Sequence, residues 1–242
     1  MDVAEAIADT LAIEINDFYM LQIIVSNSDP NVLTSGQPYT SNLLQCVVPN
    51  LKVLAISLKL PLAVYEGLAS AGQTAFSKSS LVLMRMSLPV TLERLSRLRR
   101  LRIWLDHDEA CSWSMVNERA VLSPLASLAN NPGLDVSINL PKLHPKWETP
   151  DRHFTTHSRL LPIAVHRWVR QRYHGVERKD GSLRVQYHSD FPVLYIFTDI
   201  LDMAMEEVEE LERRKWENGE DPMQERKDLE IDMELNNYCG AV

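Results

Sequence analysis

The stretch LSRLRRLRIWLDHDE, residues 95–109, decides how this chain is read. Leu95, Leu98, Leu101 and Ile103 stand at spacings of 3, 3 and 2, and Val48, Leu51, Leu54 and Ile56 show the same spacings 47 residues earlier. The shared unit is [LV]-x-x-L-x-x-L-x-I, and its end alternates at the period of two that a half-buried strand requires. A looser version follows, in which Leu128 and Ala129 precede the turn Asn130-Asn131-Pro132-Gly133. After it, Leu134, Val136, Ile138 and Leu140 alternate. Leu183, Val185 and Tyr187 make a fourth candidate. With Leu54, Leu101, Leu134 and Leu183 as anchors, the separations of 47, 33 and 49 residues are too irregular for a regular solenoid. Each still leaves room for a helical return before the next strand.

The segments between these strands read as helices. Pro89, then Leu92, Leu95 and Leu98, fit a short amphipathic helix leading into LRRLRIWL. Asn117 to Asn130 runs as a helix into the stop at Asn131-Pro132-Gly133. Leu161, Val165, Trp168 and Val169 fall at i, i+4, i+7 and i+8, which predicts a helix over 158–174 with Arg167, Arg170 and His174 on another face. From Phe191, the positions Leu194, Phe197, Leu201, Ala204, Val208 and Leu211 predict the longest helix, capped by Asp190 with Pro192 in its first turn. Asn218 to Pro222 breaks it, and a second charged helical segment follows. Residues 25–42 read as a loop. The expected architecture is an α/β fold of irregular, leucine-rich-repeat-like helix-strand units. It has a mainly parallel sheet and a long acidic C-terminal helix. Residues 1–217 are expected to form a single domain and 218–242 an acidic, partly helical or disordered tail.

Composition fits this reading. Of 242 residues, 45% are apolar and 24% charged, as in globular proteins, and only 8 are glycine, which disfavours turn-dense all-β folds. Cys46, Cys111 and Cys239 are odd in number and far apart, so no disulfide framework or CxxC site is indicated. The acidic opening MDVAEAIADT lacks the basic residues of a presequence, and no apolar run approaches the roughly 20 residues of a membrane span. The expectation is a soluble intracellular protein, cytoplasmic or nuclear, without a membrane partner. The net charge of −8 resides in the C-terminal part: residues 199–234 hold 15 acidic and 5 basic side chains.

The chemistry-bearing candidates are few. Asp106-His107-Asp108-Glu109 follows a strand end, where a parallel sheet often binds ligands. With His144 it suggests a divalent metal or an acid-base site. A solvated polar turn is the plainer interpretation, because the fixed ligand spacing of metal sites is missing. Cys111 with His107 and Asp106 resembles a nucleophile, base and orienter crowded into one segment. His153 and His157 lie four apart but without the helix formers or the Glu of HExxH. HRWVRQRYH, residues 166–174, interleaves cations with aromatics, yet nucleic acid is not the expected partner of an acidic chain. The C-terminal Cys239-Gly240-Ala241-Val242 formally matches a lipidation box, but acidic residues precede it. No GxGxxG, Walker loop, GxSxG or HExxH occurs, and no cofactor or resident metal is expected.

The stretches LRRLRIWLDHD, NERAVLSPL and GLDVSINLPKLHP, within residues 98–145, resemble uncharacterised fungal F-box-like proteins with an irregular leucine-rich-repeat-like body. The resemblance extends from about residue 40 to 200. The opening EAIADTLAIEINDFYM is similar to the segment such proteins place between an F-box and the first strand. The LPxE-type opening of an F-box is not found in the chain. The resemblance implies protein binding and carries over no catalytic residue. The expected function is therefore a non-catalytic protein-interaction module with a protein partner, using Trp104, Asp106, His107, Asp108, Glu109 and Trp113 as its binding surface. The alternatives are a metal-dependent or acid-base enzyme built on Asp106 to Glu109, and a substrate-recruiting arm of a ubiquitin ligase lacking its F-box.

Overall fold

The leucine-rich runs pair side by side. A computed structural model describes residues 12–15, 50–70, 95–155, 161–177, 181, 183–197 and 203–229. Its strands β1 (Ala12–Ile15), β2 (Val53–Lys59), β3 (Arg100–Asp106), β4 (Asp135–Pro141) and β5 (Ala164–Trp168) lie in one sheet in that order. The first four run parallel, as an α/β chain of strand-helix units should. The 47-residue repeat becomes a lateral ladder: Leu54 pairs with Leu101, and Ile56 with Ile103. One anchor is corrected here. Leu134 precedes β4, and Val136 takes the position opposite Leu101.

Strand order explains where the core sits. Parallel crossovers are right-handed, so in a monotonic strand order the described returns share one side of the sheet. On that side Leu54, Ile56, Leu58, Leu101, Ile103, Leu105, Val136, Ile138 and Leu140 are buried. Each contributes about 1.5–3 kcal/mol relative to exposure. Helix α1 (Leu62–Ser70) inserts the buried Tyr65, whose hydroxyl donates to the Asp106 carbonyl at 2.8 Å. Helix α2 (Glu118–Leu122) is capped by Asn117, whose side-chain oxygen accepts the Ala120 N–H at 3.0 Å. Pro124 lacks the N–H that would continue an α-helix, and Ser123–Asn130 proceeds as 3-10 turns. Asn131 then turns the chain into β4 by accepting the Gly133 N–H at 3.1 Å.

The contacts divide the chain into two compact units. The first comprises Met1–Cys111, Met115–Leu140 and Thr149–Arg167, and the second Ser112–Ser114, Pro141–Glu148 and Trp168–Val242. In the second, β6 (Gln171–Glu177) and β7 (Leu183–Ser189) form a two-stranded antiparallel ribbon. Two expectations fail here. The fourth repeat, at Leu183 to Tyr187, belongs to this ribbon and not to the parallel sheet. Residues 164–168 and 171–177 are strands and not a helix. Val165, Trp168, Val169, Tyr173 and Val176 are β-branched or aromatic, and that preference overrides the helix-like spacing.

The helix expected from Phe191 is also shorter than its apolar pattern suggests. Val193–Phe197 is a 3-10 turn, and α3 spans Met205–Glu217, 13 residues. Asp190, the expected cap, instead holds the buried Arg170 through its carboxylate at 2.9 Å. The Glu207 carboxylate accepts the Ala204 N–H at the start of α3. Gly219, at φ 79°, follows its end, where a side chain would be strained. Helix returns at residues 222–229. Val193, Leu194 and Val208 form a small core flanked by Met203, Met223 and Leu229. Of the helix expected from Pro89, residues 95–98 form a turn and not a helix, closed by the Leu98 N–H on the Leu95 carbonyl; its earlier part, the loop at 25–42 and residues 230–242 lie outside the described residues. Among the described residues no helix is long and apolar enough to cross a membrane.

Candidate functional site

Alternation along the strands leaves the other sheet face open. Over β2 and β3 it carries Ala55, Ser57, Lys59, Arg100, Arg102, Trp104 and Asp106; on β4 Asp135 is exposed and Asn139 half-buried, whereas Ser137 and Pro141 are buried. Trp104 is 37% exposed. Its register partners are Ser57 and Asn139, both short side chains. Asn139 is steadied by donating through Nδ2 to the Ile103 carbonyl at 3.4 Å. Two residues before Trp104, the Arg102 guanidinium donates to Asp135 Oδ2 at 2.8 Å, and Arg100 Nε lies 3.7 Å from the same oxygen. The hydrogen bond from Arg102 holds the Asp135 carboxyl below its usual range. Two cations thus share one exposed carboxylate.

The sequence Asp106-His107-Asp108-Glu109 is placed at the end of β3, and the contacts of this cluster are those of a clasp. Asp106 Oδ1 accepts the His107 N–H at 2.7 Å, and its carbonyl receives the Leu60 N–H as well as the Tyr65 hydroxyl. Glu109 Oε1 accepts the Leu62 N–H at 2.7 Å, the first donor of α1, and this bond pulls its pKa down. The His107 ring is buried, with Nδ1 3.3 Å from Glu109 Oε2. Asp108 pairs with Lys59 at 2.8 Å on the surface. The four residues therefore tie the strand end to the helix start. Among the described residues, no group of three or more His, Cys, Asp or Glu is placed to hold a metal ion.

Other candidates are interior. Trp113 is 1% exposed in the turn Trp113–Met115, so of the two expected aromatic anchors Trp104 alone presents its ring to solvent. His144 belongs to the second unit, where its N–H donates to Ser114 Oγ at 2.9 Å and its Nδ1 accepts the Lys146 N–H. Its ring packs 4.5 Å from Trp147 and 4.8 Å from Trp216. Burial, reinforced by Lys146 and Arg213, lowers its pKa from 6.5 to about 4. His153 lies in a turn, buried, with Nδ1 accepting the Thr149 N–H at 3.0 Å; His157 is outside the described residues.

The basic segment is not a free helix face. Arg167 forks onto the fully buried Glu118, Nη1 to Oε1 at 2.5 Å and Nη2 to Oε2 at 2.8 Å. Phe154 adds its N–H to Glu118 Oε2, and its carbonyl accepts from Arg167. Nothing in the sequence singles out Glu118. Glu212 is a second carboxylate without a sequence signal. It is fully buried on α3, accepts the Leu194 N–H and the Trp216 indole N–H, and has a pKa raised by burial from 4.5 to about 7. Compared with known proteins, the chain matches no protein-family model, no curated protein and no solved structure.

Proposed function

We propose that this protein is a non-catalytic protein-interaction module acting inside the cell, an irregular leucine-rich-repeat-like body whose open sheet face receives a partner around Trp104. The observation that carries the reading is a parallel sheet with one face buried and the other half-exposed. Parallel sheets usually have both faces covered, and a face left half-exposed over β2 and β3 leaves room for another molecule. A partly exposed tryptophan paired in register with Ser57 and Asn139 is the residue type that dominates binding energy at such surfaces. The clasp at Asp106 to Glu109 supports the same reading, because its polar groups hold β3 and α1 in place beside the face.

The test compares tagged wild type with Trp104→Ala in affinity capture from lysate, scored by mass spectrometry. A partner recovered near stoichiometrically with wild type and lost with a folded variant is the expected result. Ligase subunits among the captured proteins would extend the role to a substrate-recruiting arm. The reading is overturned if capture is indifferent to Trp104, or if the substitution unfolds the protein and thereby makes Trp104 part of the core.

A further inference from the structure

We infer that the partner presents an extended acidic segment carrying an apolar side chain, which lies along β3 with carboxylates on Arg100 and Arg102 and the apolar group on Trp104. This rests on the interaction-module reading and names the chemistry of its partner. Arg100, Arg102 and Trp104 occupy alternate positions of one strand on the open face, about 6.6 Å apart. That is also the repeat of alternate side chains in an extended peptide. The Arg100 side chain is 57% exposed and that of Arg102 28%, with Arg102 Nη1 buried and Nη2 on Asp135, so Arg100 is the more accessible of the two cations that face this single, 61% exposed carboxylate. The face is therefore cationic at the start of β3 and aromatic at its middle.

The same layout disfavours a polynucleotide. Asp135 and Asp106 stand on the face and limit its cationic stretch to Arg100 and Arg102, which suits a peptide with a few spaced carboxylates better than a continuous phosphate backbone.

The experiment uses fluorescence anisotropy of the full chain with a labelled peptide ESESLSESE, whose symmetry lets it fit in either direction. The Glu-to-Lys version of the peptide and a labelled oligothymidylate serve as comparisons. Binding of the acidic peptide should weaken at least tenfold in Arg100→Gln/Arg102→Gln and in Trp104→Ala, and with rising salt. Lys227→Glu, an exposed charge on the segment at residues 222–229, should stay within twofold of wild type. Absence of binding, tighter binding of the lysine peptide or the oligonucleotide, or equal binding by the face variants overturns the inference. Cellular capture separates the two levels. Capture that needs Trp104 but survives Arg100→Gln/Arg102→Gln removes the acidic partner and keeps the face, whereas capture indifferent to Trp104 removes the face itself.

Discussion

Two arginine-carboxylate pairs in the parallel-sheet unit share chemistry and differ in their access to water. Arg167 and Glu118 meet in the interior with both guanidinium nitrogens engaged and a backbone N–H completing the carboxylate. Arg102 and Asp135 meet on the open face at a similar distance, with the carboxylate largely solvated and Arg100 competing for it. Water decides what each pair is for. In the interior either partner left alone would be a desolvated charge, so the pair is locked into the fold. On the surface solvent and salt screen the attraction, and the charges remain available to a partner.

That contrast can be broken by mutation. Glu118→Ala strands Arg167 and should destabilise the protein by about 3–5 kcal/mol in urea unfolding. A loss under about 1 kcal/mol would show that the interior pair is not held as described.

Buried titrating groups extend the contrast into the second unit, and there the signs oppose. His144, lowered to about 4 from 6.5, gives stability that is complete above pH 6.5 and lost as pH falls toward 4. Glu212, raised to about 7 from 4.5, gives stability that is complete below pH 4.5 and lost as pH rises through 7. Between those limits the two offset each other. Relative to wild type, Glu212→Gln should lose on the order of 2 kcal/mol on going from pH 7 to 4.5, and His144→Gln should change in the opposite direction. Urea midpoints at the two pH values read both, and parallel profiles in wild type and variants would refute the opposition.

The open face should respond least. Trp104→Ala should cost about 1 kcal/mol or less, since the ring loses only partial cross-strand packing; a cost above about 3 kcal/mol would make it a core residue. Asp135→Ala should leave Tm close to wild type, with any shift disappearing at high salt, while strengthening binding of the ESESLSESE peptide by freeing Arg100 and Arg102. Weaker binding in this variant would mean that Asp135 orients the arginines for the ligand.

How far the fold was legible depended on whether local pattern and environment agreed. Leu54 to Leu58 and Leu101 to Leu105 alternate because one face of the sheet is dry and the other half-exposed, and Val136 to Leu140 keep the apolar alternation although Ser137 between them is also buried, so the pattern was readable at β2, β3 and β4. β1 went unread because Ala12–Ile15 is four residues long, too short for a period to declare itself. Residues 161–169 carried a helix-like spacing by coincidence and became strand. The apolar series from Phe191 promised one long helix, which Met205 begins much later. Of the candidate site, Trp104 and Asp106 to Glu109 were found from composition and position. Glu118 and Glu212 were not, because a buried acid looks like any surface acid until the fold shows what covers it.

By itself the amino-acid order determined the leucine-rich strand units, the turn at Asn131 to Gly133, the helix stop at Asn218 and Gly219, and the presence of Trp104 and its arginines on one strand. These depend on near neighbours and on periods of two or a few residues. Tertiary structure alone decided that Leu54 faces Leu101 across the sheet, that Arg167 is spent on Glu118 while Arg100 and Arg102 remain at the surface, and that Trp113 is buried where Trp104 is not. The reason is that desolvation and long-range pairing are properties of what surrounds a residue in space, and chain order does not carry them.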